Sequence, residues 1–300
     1  MAEQNLGVLG ELKGLQHLHL VIASNGNWQQ DTLDWLQPLS MLSELDLSVR
    51  GMGHRPLLLP ASFGALRGLA VLDLTRESSG GDFSYSTSNI SEVVSKLISL
   101  RRLSLKGIVD QFPGALSNLT NLEFCALEGA DDGEWPRLGD ESAPLLDYPG
   151  EQYVTMIMPA PHWLLTCQAL ACLPHLTDIS LDTVDLSRVS KDDWAFSTHL
   201  QSLSLAECGM DYLPTALLAL TSLLDLSIAY NPVTELPAGP YLKHLTSLDL
   251  CGISFPEVPQ ALCKASSLQI LEFLESGMAE CGSLLEAMLP QGCRLELLDD

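Results

Sequence analysis

The spacing L-x-x-L-x-L recurs from one end of the chain to the other, and no other feature limits its fold so strongly. It begins at Leu15, Leu18 and Leu20 and returns at Leu42/Leu45/Leu47, Leu69/Leu72/Leu74 and Leu100/Leu103/Leu105. It continues as Leu122/Cys125/Leu127, Leu176/Ile179/Leu181, Leu200/Leu203/Leu205, Leu223/Leu226/Ile228, Leu245/Leu248/Leu250 and Leu268/Leu271/Phe273. The start-to-start intervals are 27, 27, 31, 22, 54, 24, 23, 22 and 23 residues. A degenerate copy at Tyr153, Met156 and Met158 would divide the 54 into 31 and 23, and Arg294-Leu295-Glu296-Leu297 would close the array.

The alternating end of each copy predicts a short strand whose leucines point inward. The return leg is legible too: Leu59-Pro60 precedes Phe63, Leu66 and Leu69, and Leu213-Pro214 precedes Leu217, Leu220 and Leu223. Apolar residues at every third position suit a 3₁₀ or short helical segment with one face to the core. A single unit cannot bury that face, whereas stacked units can. The expectation is therefore one domain over residues 1–300, a solenoid of about 11 or 12 repeats. Insertions stretch it near 75–92 and 128–152. In this register Leu203, Leu205, Leu226 and Leu248 are core residues. Ser202, Ser204, Asp225 and Ser247 face solvent on the concave sheet. The spacing of Leu6, Leu9, Leu12 and Leu15 places the chain start partway into a repeat, so the expectation is either an unusual segment that covers this end or a chain that is the carboxy-terminal part of a longer product.

The copy Leu223-x-x-Leu226-x-Ile228-x-x-Asn231-x-Val233-x-x-Leu236-Pro237 resembles the leucine-rich repeat family in its short intracellular form, and the resemblance covers essentially the whole chain. It implies an α/β horseshoe with a concave parallel β-sheet and a 3₁₀, short-helical or irregular convex side. It also implies that Asn231 satisfies backbone groups at the turn out of its strand. Ile108, Val184, Cys208, Ile253 and Ser276 stand at the equivalent positions, so a continuous asparagine ladder is not expected. Cys208 in that slot is similar to the cysteine-type repeats of ubiquitin-ligase receptors. Some short-repeat proteins of this kind resemble flagellar or cytoskeletal adaptors, which makes a cytoskeletal or ciliary location the alternative to plain cytoplasm.

Charge narrows the partner. The chain has 15 Lys and Arg against 38 Asp and Glu, a formal net charge of −23. Nucleic acid and anionic membrane are excluded as default partners, because both require a positive footprint. Residues 1–150 carry 10 bases and 19 acids, net −9, and residues 151–300 carry 5 and 19, net −14. The concave positions Asp178, Asp182, Asp225, Asp249 and Glu272 are the candidate partner-binding residues, read as lying on adjacent strands about 5 Å apart, close enough for their fields to add. Arg102 and Lys106 form a small basic island. The insertion after Leu127 reads as a solvated acidic loop, with Trp135 and Tyr148 making a recognition loop the alternative.

No dinucleotide, Walker, H-E-x-x-H or G-x-S-x-G pattern is present, so the sequence points to no enzyme, no cofactor and no metal site. Cys167, Cys172 and His175 have poor spacing for one tetrahedral ion. Eight cysteines without C-x-x-C pairs fit reduced thiols. The opening residues lack a basic segment followed by an apolar one, which leaves cytoplasm as the expected compartment. Gln152 to Thr177 is uncharged, but Pro159, Pro161 and Pro174 interrupt it and argue against a membrane span. The function these readings favour is a non-catalytic interaction scaffold that binds a basic protein on its concave face. The alternative is the recognition region of a ubiquitin-ligase, immune or signalling receptor.

Overall fold

The computed structural model describes residues 6–23, 30–50, 57–77, 89–107, 116–128, 160–274 and 281–298. Every described L-x-x-L-x-L copy forms a strand. These are β1 (His17–Ala23), β2 (Glu44–Arg50), β3 (Val71–Glu77), β4 (Arg102–Lys106), β5 (Phe124–Glu128), β6 (Asp178–Ser180), β7 (Ser202–Ser204), β8 (Asp225–Ser227), β9 (Ser247–Asp249), β10 (Ile270–Leu274) and β11 (Arg294–Leu298). They pair in chain order, β1 to β11, as one parallel sheet. Equivalent residues of the motif pair throughout, for example Leu203 with Leu226 and Leu226 with Leu248.

The inward-facing residues make one continuous core. Leu203, Leu205, Leu226 and Leu248 are each at most 2% exposed. Ser202, Ser204 and Ser247 are half-buried and Asp225 is exposed, as the register requires. The return legs supply the opposite wall: Leu59, Phe63, Leu66 and Leu69 are buried, as are Leu213, Leu217, Leu220 and Leu223. Short helical turns at Ala61–Ala65, Thr215–Leu218 and Gln260–Lys264 carry that wall. Each is preceded by a proline, whose fixed φ starts the turn without an N–H to satisfy. At the first repeat the cover thins. Leu15, Leu18 and Leu20 are only partly buried and Leu12 is 51% exposed, against 1% or less at Leu45 and Leu47.

The strand length is set by a backbone conformation that sequence spacing does not show. Two residues after the last leucine of the motif, Gly107, Thr183, Glu207, Tyr230 and Gly252 all have φ between 54° and 67°. A left-handed residue ends the extended run and turns the chain out of the sheet. Glycine is needed at Gly107, where a Cβ would stand 2.3 Å from the Arg76 carbonyl oxygen. Thr183, Glu207 and Tyr230 hold the same conformation with side chains, at roughly 1–2 kcal/mol each.

One expected copy is corrected. Tyr153, Met156 and Met158 lie outside the described residues, but β5 bonds directly to β6, through Phe124–Asp178, Cys125–Ile179 and Ala126–Ser180. No rung remains between them for an intervening strand. The uncharged stretch resumes as a helix, Ala160–Ala171, whose end delivers Leu170, Leu173 and Leu176 to the core as an ordinary return leg. No helix among the described residues is long and apolar enough to cross a membrane.

Candidate functional site

Pairing turns the concave face into columns that run across the strands. The third motif position gives His17, Glu44, Val71, Arg102, Phe124, Asp178, Ser202, Asp225, Ser247, Ile270 and Arg294. The fifth gives His19, Asp46, Asp73, Ser104, Ala126, Ser180, Ser204, Ser227, Asp249, Glu272 and Glu296. The middle of the fifth column is small and hydroxylated, from Ala126 to Ser227, and carboxylates stand at both its ends.

The acids are not consecutive in the way the repeat suggests. β7 contributes Ser202 and Ser204, so a serine rung separates Asp178 from Asp225. Asp249 and Glu272, by contrast, are direct cross-strand neighbours, with Glu296 next in the column. Their fields reach one another all the same. Burial and then the Asp178 charge raise the Asp225 carboxyl above its ordinary value, while Thr246 bonding opposes this. Burial, then Asp249 and Glu296, raise Glu272. A similar pair forms at the other end, where burial and then Asp46 raise Asp73, opposed by bonds from Ser104 and Thr75 and by Arg102.

Two of the five candidate carboxylates also hold the fold. Asp182 accepts hydrogen bonds from the Ser180 hydroxyl (2.9 Å), the Ser204 hydroxyl (2.6 Å) and the Ala206 N–H (2.8 Å). Asp249 accepts from the Ser227 hydroxyl (2.8 Å) and the Cys251 N–H (3.0 Å). Asp225 and Glu272 are less committed. Trp135 lies outside the described residues.

The bases around β4 have local partners. Lys106 stands 3.7 Å from Glu128, Arg101 bonds Glu123 at 2.9 Å, and the Arg102 guanidinium sits 4.1 Å from the Phe124 ring centroid. At β1, His17 contacts Glu44 (2.8 Å) and His19 contacts Asp46 (2.5 Å). No Lys or Arg among the described residues pairs with Asp225, Asp249 or Glu272. Arg294 bonds Glu296 at 2.9 Å. The carboxy-terminal end of the face therefore keeps a surplus of negative charge.

Asn231 is the structural residue the resemblance implies. It is 3% exposed and bonds five backbone groups in its own and the preceding repeat. Cys208, one repeat earlier, reproduces half of this. Its thiol has one hydrogen to donate and lies within reach of the carbonyl oxygens of Leu181 (3.0 Å) and Ala206 (3.3 Å), the counterparts of the Leu205 and Ala229 carbonyls that the Asn231 amide reaches. A thiol can stand in for the amide N–H at this slot but is a poor substitute for its C=O.

Sequence reading missed Tyr230 and Cys251. Tyr230 is 54% exposed at the left-handed position, and its ring lies against Gly252. Cys251 is buried, and its thiol and the carboxylates of Asp249 and Glu272 lie within 4.8 Å of one another, the one group among the described residues with metal-ligand chemistry. Burial first, then the bond and charge of Asp249 and the charges of Glu272 and Glu296, push that thiol up to about 12. At neutral pH a divalent ion would have to displace its proton. Cys167 is buried while Cys172 and His175 are exposed, so these three do not converge.

The raised carboxyls make a pH prediction. A group that holds its proton more tightly when folded stabilises the fold below its unfolded value and loses that contribution as pH rises through its folded value. Asp225→Asn with Glu272→Gln is therefore expected to be more stable than wild type at neutral pH. The advantage should vanish as both chains are brought below the ordinary carboxylate range. Thermal unfolding midpoints across pH would show it; a pH-independent difference would mean the crowding of these acids does not burden the fold.

No family model matches the chain, and no curated protein matches it in sequence. Solved structures do match. The leucine-rich repeat protein LIC12759 of Leptospira interrogans is 21% identical over 97% of this chain, with a TM-score of 0.59. The functional domain of InlJ from Listeria monocytogenes is 16% identical, covering 87% of this chain and 44% of that one with a TM-score of 0.49, and PEPR1 in complex with AtPEP1 is 18% identical, covering 98% and 33% with a TM-score of 0.44. The chain spans 62% of the length of LIC12759. The eleven in-register parallel strands among the described residues, the leucine core between sheet and return legs, and the likeness in fold to LIC12759 make the chain a leucine-rich repeat solenoid.

Proposed function

We propose that the chain is a non-catalytic interaction module that binds a basic protein on the carboxy-terminal half of its concave face. The observation that carries this reading is the surplus of carboxylates there: Asp178, Asp225, Asp249 and Glu272 crowd one sheet face, and no Lys or Arg among the described residues pairs with Asp225, Asp249 or Glu272. Carboxylates arranged so that each raises its neighbour's affinity for a proton favour any incoming cation for the same reason. The small Ser and Ala residues between them leave the sheet open to a polypeptide. A cytoplasmic setting goes with this reading, and the seven free cysteines among the described residues support it, because reduced thiols suit a reducing compartment.

The test starts from a partner captured by crosslinking in native cells. Asp178, Asp225 and Glu272 are reversed to Lys together, leaving Asp182 and Asp249, whose hydrogen bonds serve the fold. Association is expected to slow by about tenfold at low salt and to lose most of its salt dependence, with the unfolding midpoint preserved. A folded triple variant with wild-type association rates would reduce these carboxylates to solubilising surface and move the binding site to the segment around Trp135.

A further inference from the structure

Resting on that reading, we propose that the rim where β8 and β9 leave the sheet is the docking point for an arginine of an extended basic segment. Tyr230 is its platform, and Asp249 and Glu272 receive a neighbouring basic side chain of the same segment.

Three observations converge on this corner. Tyr230 is 54% exposed, whereas Phe63, Trp194, Tyr241, Phe255 and Phe273 are buried in the core. Its backbone is held in the left-handed region at φ 54°, the conformation that glycine takes at the same place in the next repeat. An aromatic residue there is costly, and no core packing requires the ring to be outside. Gly252 makes the room for it. A Cβ on Gly252 would fall 2.3 Å from the ring, so the missing side chain lets the ring rest against the next repeat while leaving it more than half exposed.

Charge complementarity fixes the occupant. Gly252 directly follows Cys251, whose N–H bonds Asp249, and Asp249 pairs across the sheet with Glu272. The Tyr230 N–H also bonds the Cys251 carbonyl at 2.7 Å, so a cation stacked on Tyr230 sits at the edge of the Asp249 and Glu272 pair. Alternate residues of an extended chain are roughly 6–7 Å apart on one side, which lets a second basic residue reach the carboxylates while the first stays on the ring. Arginine suits the ring better than lysine, because a planar, weakly hydrated guanidinium stacks on an aromatic face without giving up its hydrogen bonds. The molecule uses the same contact within itself, at Arg102 over Phe124.

The experiment uses the full chain and two short Gly/Ser peptides, one with three arginines at alternate positions and one with three lysines. Affinities are measured at low salt, and the binding face is mapped by backbone amide chemical shifts. Both peptides are expected on the concave face, the arginine peptide about threefold tighter. Tyr230→Gly and Tyr230→Asn, both compatible with the left-handed backbone, are expected to erase that preference, leave the lysine affinity unchanged and not lower the melting temperature. Glu272→Gln is expected to weaken both peptides alike. Equal affinity of wild type for the two peptides, or a preference that survives in both Tyr230 variants, would overturn the Tyr230 assignment while the acidic-face reading stands. Binding of neither peptide at the concave face would overturn both.

Discussion

Asn231→Leu is expected to destabilise the chain by about 3–5 kcal/mol, although leucine is of similar size and the site is buried. The Asn231 carbonyl oxygen accepts from the Cys208 N–H at 3.1 Å and the Met210 N–H at 3.0 Å. Its amide faces the carbonyls of Leu205 at 2.7 Å, Ile228 at 2.9 Å and Ala229 at 3.1 Å. Leucine would leave those two donors buried and unpaired, each costing about 1–3 kcal/mol, before any loss at the acceptors. Denaturant unfolding measures the cost. A loss under about 1 kcal/mol would mean that the turn rebuilds its hydrogen bonds without the side chain. Val184 and Ile253 occupy the same slot in other repeats. Their turns are closed by backbone bonds instead, including Leu186 N–H to Cys208 C=O and Ile253 N–H to Leu250 C=O.

Leu226→Ala should cost about 2–5 kcal/mol, by lost transfer energy and by the cavity left behind. Leu226 is 2% exposed and stands in the sheet between Leu203 and Leu248, which are equally enclosed. Neighbours on both sides are held by their own pairing, so the site has little freedom to collapse. The same truncation at Leu18, in the half-covered first repeat, should cost much less. Equal effects at both positions would show that burial in the array does not set the energetics.

How much of this was readable from the residues follows from what each kind of signal measures. Apolar periodicity reports which side chains face inward, and it located all eleven strands and the buried return legs, because stacking leaves those positions no choice. The same reasoning failed at Tyr153, Met156 and Met158, where the spacing fits but no rung is open between β5 and β6. Periodicity also identified the concave acids without their surroundings. That Asp182 and Asp249 are bonded into the strand exits depends on Ser204, Ala206, Ser227 and Cys251, of which Ser204 and Ala206 lie a full repeat away from Asp182. The left-handed column was legible only at Gly107 and Gly252. Nothing in the letters Thr, Glu or Tyr announces a positive φ, which is why Tyr230 escaped notice.

That column has a consequence for how such a chain can change. At this position beyond β4 and β6 to β9, the stack holds the backbone in one conformation whatever the side chain. Glycine is the relaxed occupant, and any other residue is a display tolerated at roughly 1–2 kcal/mol. Thr183, Glu207 and Tyr230 are three such displays in a row, between glycines at 107 and 252. Substitution along this line alters what the rim offers to a partner and leaves the leucines behind it untouched. Along this column, what the surface displays and what holds the array together are thus written in separate positions of the same repeat, and one can drift while the other stands still.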